Sequence, residues 1–410
     1  MNKREARGEK INPVVQSIPP SGIRRFFDLA TETKEVISLG VGEPDFVTPW
    51  HIREACFYAL EKGYTMYTSN QGLFSLRQAV AQEIYNKFSV SYNPKNELLI
   101  TSGVSEGLDL AIRATVCPGD KVIVPEPAYV SYIPCVTLAG GRPVVLATTM
   151  EQGFCPTAEQ LTRLITSRTK LLILNYPNNP TGAVMSKKRL QEIAAVVCEA
   201  DLLVISDEIY SKLTYQGEHT CTAALKGMKE RTILLNGFSK AYAMTGWRIG
   251  YAAANPEFIE AMNKIHQYTM LCAPITAQIA ALEALKNGHQ NMRDMVKQFN
   301  QRRQLMVNAF REMGLPCFEP GGAFYAFPEI KGTGLSSEEF ALKLLTEEAV
   351  AVVPGNVFGA GGEGYIRCSY AASQKDLSTA LARIARLVKK CGLRTKTPAR
   401  QACPSGCQAQ

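Results

Sequence analysis

The sequence predicts an α/β fold: a large unit with a mostly parallel sheet covered by helices, plus a smaller α+β unit formed by the N- and C-terminal parts. Three features carry that expectation. Between residues 98 and 254, short runs rich in leucine and β-branched residues alternate with helical patterns, as in strand–helix–strand units that lay parallel strands side by side. The runs are apolar at consecutive positions rather than at every second one, which suits strands covered on both faces. Later the alternation gives way to a long charged helical stretch, short strands and two further helices.

The runs read as strands are Leu98–Thr101, Val122–Pro125, Val144–Ala147, Leu171–Asn175, Leu202–Ser206, Thr232–Asn236 and Arg248–Ala254. Helical patterns such as Glu106–Val116 and Ser186–Ala200 lie between them. Pro256–Met270 and Ile275–Lys286 read as helices, and Arg293–Met313 as a long helix able to bridge two domains. Short strands are expected around Phe324–Phe327, Ala351–Val353 and Tyr365–Tyr370, with helices at Ser337–Glu347 and Asp376–Lys390. The last shows an apolar stripe at Leu377, Leu381, Ile384 and Val388. The expected organisation is an N-terminal arm and part of the small domain (1–45), a large domain (46–290), a bridging helix and small domain (291–390), and a disordered tail (391–410).

Composition narrows the class. With 410 residues, 46% hydrophobic and 20% charged, the chain is long enough for two domains and reads as soluble and globular. No apolar run approaches the roughly 18 residues of a membrane-spanning helix, and the charged first dozen residues do not read as a secretory signal. A cytoplasmic location is the expectation. The net charge of +8 resides at the ends: residues 1–10 and 383–410 carry +9 between them, leaving the body at −1. These charges read as solvated ends, and without a basic stripe or reading module nucleic-acid binding is not expected. The twelve cysteines are scattered. Cys56, Cys135, Cys198 and Cys368 read as core residues of a reducing compartment, while Cys403 and Cys407 are too far apart for CxxC chemistry. His51, His219, His266 and His289 show no ligand spacing, so no metal site is expected.

Several residues stand out on physical grounds. Asp207 ends an apolar strand, at the carboxyl end where open α/β sheets bind ligands; an N-cap is the plainer role for it. Gly103-Val104-Ser105 joins a strand to a helix start, an arrangement that binds anions. Asn175–Gly182, NYPNNPTG, is turn chemistry closing a strand. Arg367 sits inside an apolar run, where a guanidinium needs an anionic partner. Tyr129 in PEPAYVSY suits a core aromatic equally well.

The segment NGFSKAYAMTGWRIGY, Asn236–Tyr251, resembles the cofactor-lysine region of class I (fold type I) pyridoxal-phosphate-dependent aminotransferases. The resemblance runs from Ile37 to about Lys390 and is nearest to the aromatic and aspartate branch. It implies that Lys240 is the lysine that forms a Schiff base with pyridoxal 5'-phosphate and later moves a proton. It further implies that Asp207 pairs with the ring nitrogen, that Tyr210 and Asn179 reach the phenolic oxygen, and that Tyr129 stacks on the ring. Val104, Ser105 and Arg248 would hold the phosphate, joined by Tyr67 from a neighbouring subunit of a homodimer. Arg367 and Gly42 would bind the substrate α-carboxylate, with Asn179 beside them, and Asn175 would support its loop. One departure from the family pattern is Gly237, where some members carry a phosphate-binding serine.

The implied activity moves an amino group from an L-amino acid, aromatic or aspartate-like and possibly several kinds, to a 2-oxo acid such as 2-oxoglutarate in a ping-pong cycle. Side-chain choice would involve Ser21, Gly22, Ile23 and Tyr129. An N-acyl-diaminopimelate aminotransferase, a C–S lyase and a non-catalytic cofactor-binding regulator are the alternatives, the last disfavoured because the N-terminal extension is too short for a DNA-binding module.

Overall fold

The computed structural model describes residues 10–23, 26 and 35–393. The charged stretch up to residue 9, nearly all of the expected tail, and Cys403 and Cys407 lie outside the described residues.

Strand β1 (Ile37–Ser38) pairs in parallel with β10 (Val350–Ala351), so the N-terminal segment joins the C-terminal part of the chain. The large sheet contains β2 (Leu98–Thr101), β3 (Lys121–Glu126), β4 (Arg142–Ala147), β5 (Thr169–Asn175), β6 (Leu203–Asp207), β7 (Thr232–Gly237) and β8 (Gly250–Ala253). Their order is β2-β8-β7-β6-β5-β3-β4. Strands β3 to β7 are parallel to their neighbours among themselves, whereas β8 runs antiparallel to both β2 and β7.

Side-chain alternation feeds the two faces of this sheet into different cores. Leu171 and Ile173 of β5 pack with Leu108, Ile112, Ile259 and Met262 from helices Val104–Thr115 and Pro256–Thr269. Leu172 and Leu174 face the other way, with Leu190, Ile193 and Val197 of helix Lys187–Glu199. The expectation of apolar cover on both faces fails at β4. It is the last strand of the sheet, with Arg142 and Val145 exposed although helices Tyr132–Leu138 and Ala158–Leu164 pack on it.

A smaller antiparallel sheet, β11 (Val353–Pro354), β12 (Ile366–Ser369) and β9 (Tyr325–Ala326), is backed by helices Ser337–Glu348 and His289–Glu312, on both of which helix Gln374–Lys390 packs. The long helix spans His289–Glu312, beginning before the expected Arg293. Its first turn, His-Gln-Asn-Met, offers little apolar periodicity, and only Gly288 separates it from helix Ile275–Asn287.

Two charge and burial expectations need correction. The cations of the last helix are not simply solvated: Arg386 lies 2.7 Å from buried Glu348, Lys390 bridges Glu347 and Glu348 at 3.1 Å, and Arg383 donates to the carbonyls of Glu348 and Ala349. Among the four cysteines read as core, only Cys368 is buried; Cys56, Cys135 and Cys198 are half-buried on helices that keep one side toward solvent. No helix among the described residues is long and apolar enough to cross a membrane.

Candidate active site

The carboxyl ends of β5 and β6, the start of helix Val104–Thr115 and strands β9 and β12 converge on a cavity of about 340 Å³. Twelve of the residues singled out from the sequence line it: Ile23, Gly42, Val104, Ser105, Tyr129, Asn175, Asn179, Asp207, Tyr210, Lys240, Arg248 and Arg367. Tyr67 does not; it is 83% exposed on the surface.

Lys240 follows the Gly-Phe-Ser turn after β7, and its Nζ donates to the Gly42 carbonyl at 2.7 Å. Burial pushes its amine down to about 8; Glu43 and Asp207 oppose the shift, while Arg248 and Arg367 add to it. Asp207, 5% exposed, ends β6. Its carboxylate accepts from Tyr132 Oη at 2.8 Å and from the Ile209 N–H at 3.2 Å. Burial nonetheless pushes this carboxyl up to about 6, since the two donors recover only part of the lost hydration, and neighbouring Glu208 adds to the rise.

The pairing of β12 with β11 and β9 fixes Arg367 at 2% exposure. Its guanidinium lies over the rings of Tyr325 and Phe358, 4.5 and 4.9 Å from their centroids. Nη1 donates to Asn179 Oδ1 at 2.9 Å and Nη2 to the Gly40 carbonyl at 2.6 Å. Nε is buried without a partner. Asn179 is itself placed by Asn175, whose Oδ1 accepts its N–H at 3.1 Å and whose Nδ2 donates to the Asp207 carbonyl at 3.0 Å.

A third wall is built for an anion. Gly103, at φ +79°, caps helix Val104–Thr115 without any side-chain hydrogen bond, leaving the first N–H groups to Val104 and Ser105 at the cavity. A Cβ on Gly103 would lie 2.6 Å from Arg248 Nη2, so the guanidinium sits directly on the helix start. Arg248 precedes β8 rather than beginning the strand, and its φ of +51° is unusual for a side chain of its size. At Gly237 a Cβ would meet Gly250 Cα at 3.0 Å, a close approach of β7 and β8 that the glycine accommodates.

The sequence did not disclose three further members. Tyr132 hydrogen-bonds Asp207, Tyr325 meets Tyr210 with hydroxyls 2.7 Å apart, and Ser239 lines the cavity beside Lys240. Ser239 was legible as the neighbour of Lys240; the tyrosines had no local signal.

Residues 34–384 match the family described as "Aminotransferase class I and II". An aspartate aminotransferase of Pyrococcus abyssi is 44% identical over 91% of this chain and 97% of its own length. Aromatic-amino-acid aminotransferase 2 of Thermococcus litoralis is 43% identical over 92% and 97%. The crystal structure of an aromatic aminotransferase from Pyrococcus horikoshii superposes with a TM-score of 0.86 at 44% identity, covering 90% of this chain and all of that one. A half-buried lysine flanked by a carboxylate and two guanidiniums, on a fold and sequence shared along almost the whole chain, makes this protein a member of the class I and II aminotransferase family, an enzyme of amino-acid transamination.

Proposed function

We propose that the cavity binds pyridoxal 5'-phosphate and that the chain transfers amino groups from aromatic or aspartate-like L-amino acids to a 2-oxo acid such as 2-oxoglutarate. The observation that carries this reading is the Lys240 amine, pushed down to about 8 within a cavity that also holds Asp207, Arg248 and Arg367. The donor set fits the group. The uncapped helix start with Arg248 suits a phosphate dianion. The buried Asp207 anion, with two donors and a raised proton affinity, suits a cationic ring nitrogen. When bound, pyridoxal phosphate supplies the electron sink for a bond broken at the substrate α-carbon.

The protein's own residues do the rest. Arg367 offers a buried guanidinium with an unpartnered Nε to the α-carboxylate. Gly42 lets the backbone come close, since a Cβ there would lie 2.5 Å from Tyr325 Oη. Lys240, deprotonated near neutral pH more readily than an ordinary lysine, takes a proton at Nζ and returns it, with the Gly42 carbonyl orienting the amine. Tyr210, hydrogen-bonded to Tyr325, would reach the cofactor's phenolic oxygen, and Tyr132 keeps Asp207 in register.

The substrate assignment takes support from the aspartate and aromatic activities named for the relatives. A homodimer with shared sites takes support from the exposed Trp50, Phe57, Tyr58, Met66 and Tyr67, an apolar patch of the kind that marks an interface. In a donor scan with purified protein, an aromatic or acidic amino acid should convert the bound cofactor's visible absorption stoichiometrically, and a 2-oxo acid should reverse it. Lys240→Ala should abolish that absorption and reduce turnover by at least ~10³-fold. Pyruvate released without any acceptor would indicate C–S lyase chemistry and refute transamination as the main activity.

A further inference from the structure

Helix Pro256–Thr269 packs on helix Val104–Thr115 and buries one stripe, Ile259, Met262 and His266. Two of these are apolar. The third is an imidazole at 0% exposure, a costly occupant of such a face unless its nitrogens find partners. Nδ1 lies 2.6 Å from Glu106 Oε1 and, since a carboxylate can only accept, is the donor; Nε2 has no partner. Glu106 belongs to the first turn of the helix whose Val104 and Ser105 face the cavity. Its other oxygen, Oε2, accepts from the Ser102 N–H. The rest of the turn closes on itself: the Gly103 N–H donates to the Thr101 carbonyl at 2.8 Å, and Thr101 Oγ1 to the Gly103 carbonyl at 2.9 Å.

A glutamate at the third helical position ordinarily turns back on the helix start and takes one of its N–H groups. Here that would set a carboxylate where a phosphate needs those donors. Held by Ser102 on one oxygen and by His266 on the other, Glu106 stays off the cavity wall. We propose that His266 is a positioning residue for the phosphate of pyridoxal 5'-phosphate: through Nδ1 it fixes Glu106, and with it the Ser102–Ser105 turn, in the form that leaves the Val104 and Ser105 N–H groups to the ligand. Neither His266 nor Glu106 lines the cavity, so both act through the turn. This inference rests on the reading of that wall as the phosphate site.

Two amide substitutions test it because they differ only in reach. His266→Asn keeps a donor where Nδ1 stood, whereas His266→Gln carries its amide out toward the Nε2 position and leaves Glu106 without one. Equilibrium titration of the cofactor-free protein compares pyridoxal phosphate with pyridoxal, which shares the aldehyde and lacks the phosphate. His266→Gln should bind pyridoxal phosphate about tenfold more weakly, the scale of one hydrogen bond to a charged group, and His266→Asn should stay near the unaltered protein. Pyridoxal binding should move in neither. Losses alike for both ligands, losses alike in both variants, or no loss in His266→Gln overturns the proposal. Hydrogen exchange on the unaltered, cofactor-free protein needs no variant: the Ser102 N–H should be protected before any ligand is added, and those of Val104 and Ser105 only once pyridoxal phosphate is bound. A freely exchanging Ser102 N–H overturns the proposal even if His266→Gln does not fold. Should the unaltered protein bind pyridoxal phosphate no better than pyridoxal, the phosphate reading of this wall falls and takes the proposal with it; a preference that survives in His266→Gln sinks the proposal alone.

Discussion

At Lys240, burial and charge pull in different directions. Desolvation, Arg248 and Arg367 favour the neutral amine, whereas Glu43 and Asp207 favour the ammonium. The reaction of the cofactor-free protein with pyridoxal, which has no phosphate to confuse the comparison, should therefore accelerate with pH through a midpoint at about 8. Glu43→Gln removes an opposing anion, so its midpoint should fall below that of the unaltered protein; a midpoint near the ordinary lysine value of 10.5 would show that the amine is not buried as described. Arg367 was legible as a cation inside an apolar run, and Lys240 through the resemblance of the motif around it. Tyr132 and Tyr325 were not. Each donates to or meets a partner distant in the chain, Asp207 across 75 residues and Tyr210 across 115. A phenol in an apolar segment looks the same in sequence whether its hydroxyl faces a catalytic carboxylate or a backbone carbonyl.

Among the elements, helix Val104–Thr115 combines structural and chemical demands at one glycine. Gly103 holds φ +79°, and a side chain there would push on Arg248. Gly63 has nearly the same φ, +78°, with nothing near an added Cβ. Alanine should cost stability at either position, ~1–3 kcal/mol of backbone strain, and more at Gly103, whose ψ of 165° suits glycine alone and whose Cβ would meet Arg248. Only Gly103→Ala should also weaken pyridoxal phosphate binding, at least tenfold by equilibrium titration, because it alone displaces the guanidinium; equal affinities in the two variants would contradict the anion cradle. Most elements were legible from apolar runs and their punctuation. The glycine start of this helix was among them; the early start of His289–Glu312 and the exposed edge strand β4 were not, since helix starts and sheet edges depend on what lies beside them in space. The antiparallel insertion of β8 between β2 and β7 was equally hidden: its apolar run gives no direction.

On the scale of the whole molecule, the chain folds back so that β1, near the start, pairs with β10, near the end, and Gly40 and Gly42 from the first part meet Arg367 and Lys240 from the later parts. The sequence expectation of a small unit built from both ends gave that closure in outline, but not its contacts, because no local pattern links residues more than 300 apart. Tyr67, like Ser21 and Gly22, does not line the cavity, and its 83% exposure is difficult to reconcile with a role in its own subunit. If it serves the neighbouring subunit, two defective chains can repair each other. A Lys240→Ala subunit retains Tyr67 and can lend it across the interface; a Tyr67→Ala subunit retains Lys240 but lacks its own contribution to the partner. Co-refolded as a heterodimer, they form one cavity with both residues intact and one with neither. The mixture should then recover, per heterodimer, about half the turnover of the unaltered enzyme, more than the sum of the separately refolded variants. If Tyr67 acts within its own chain, every cavity in the mixture lacks one residue or the other, and no gain over that sum is expected.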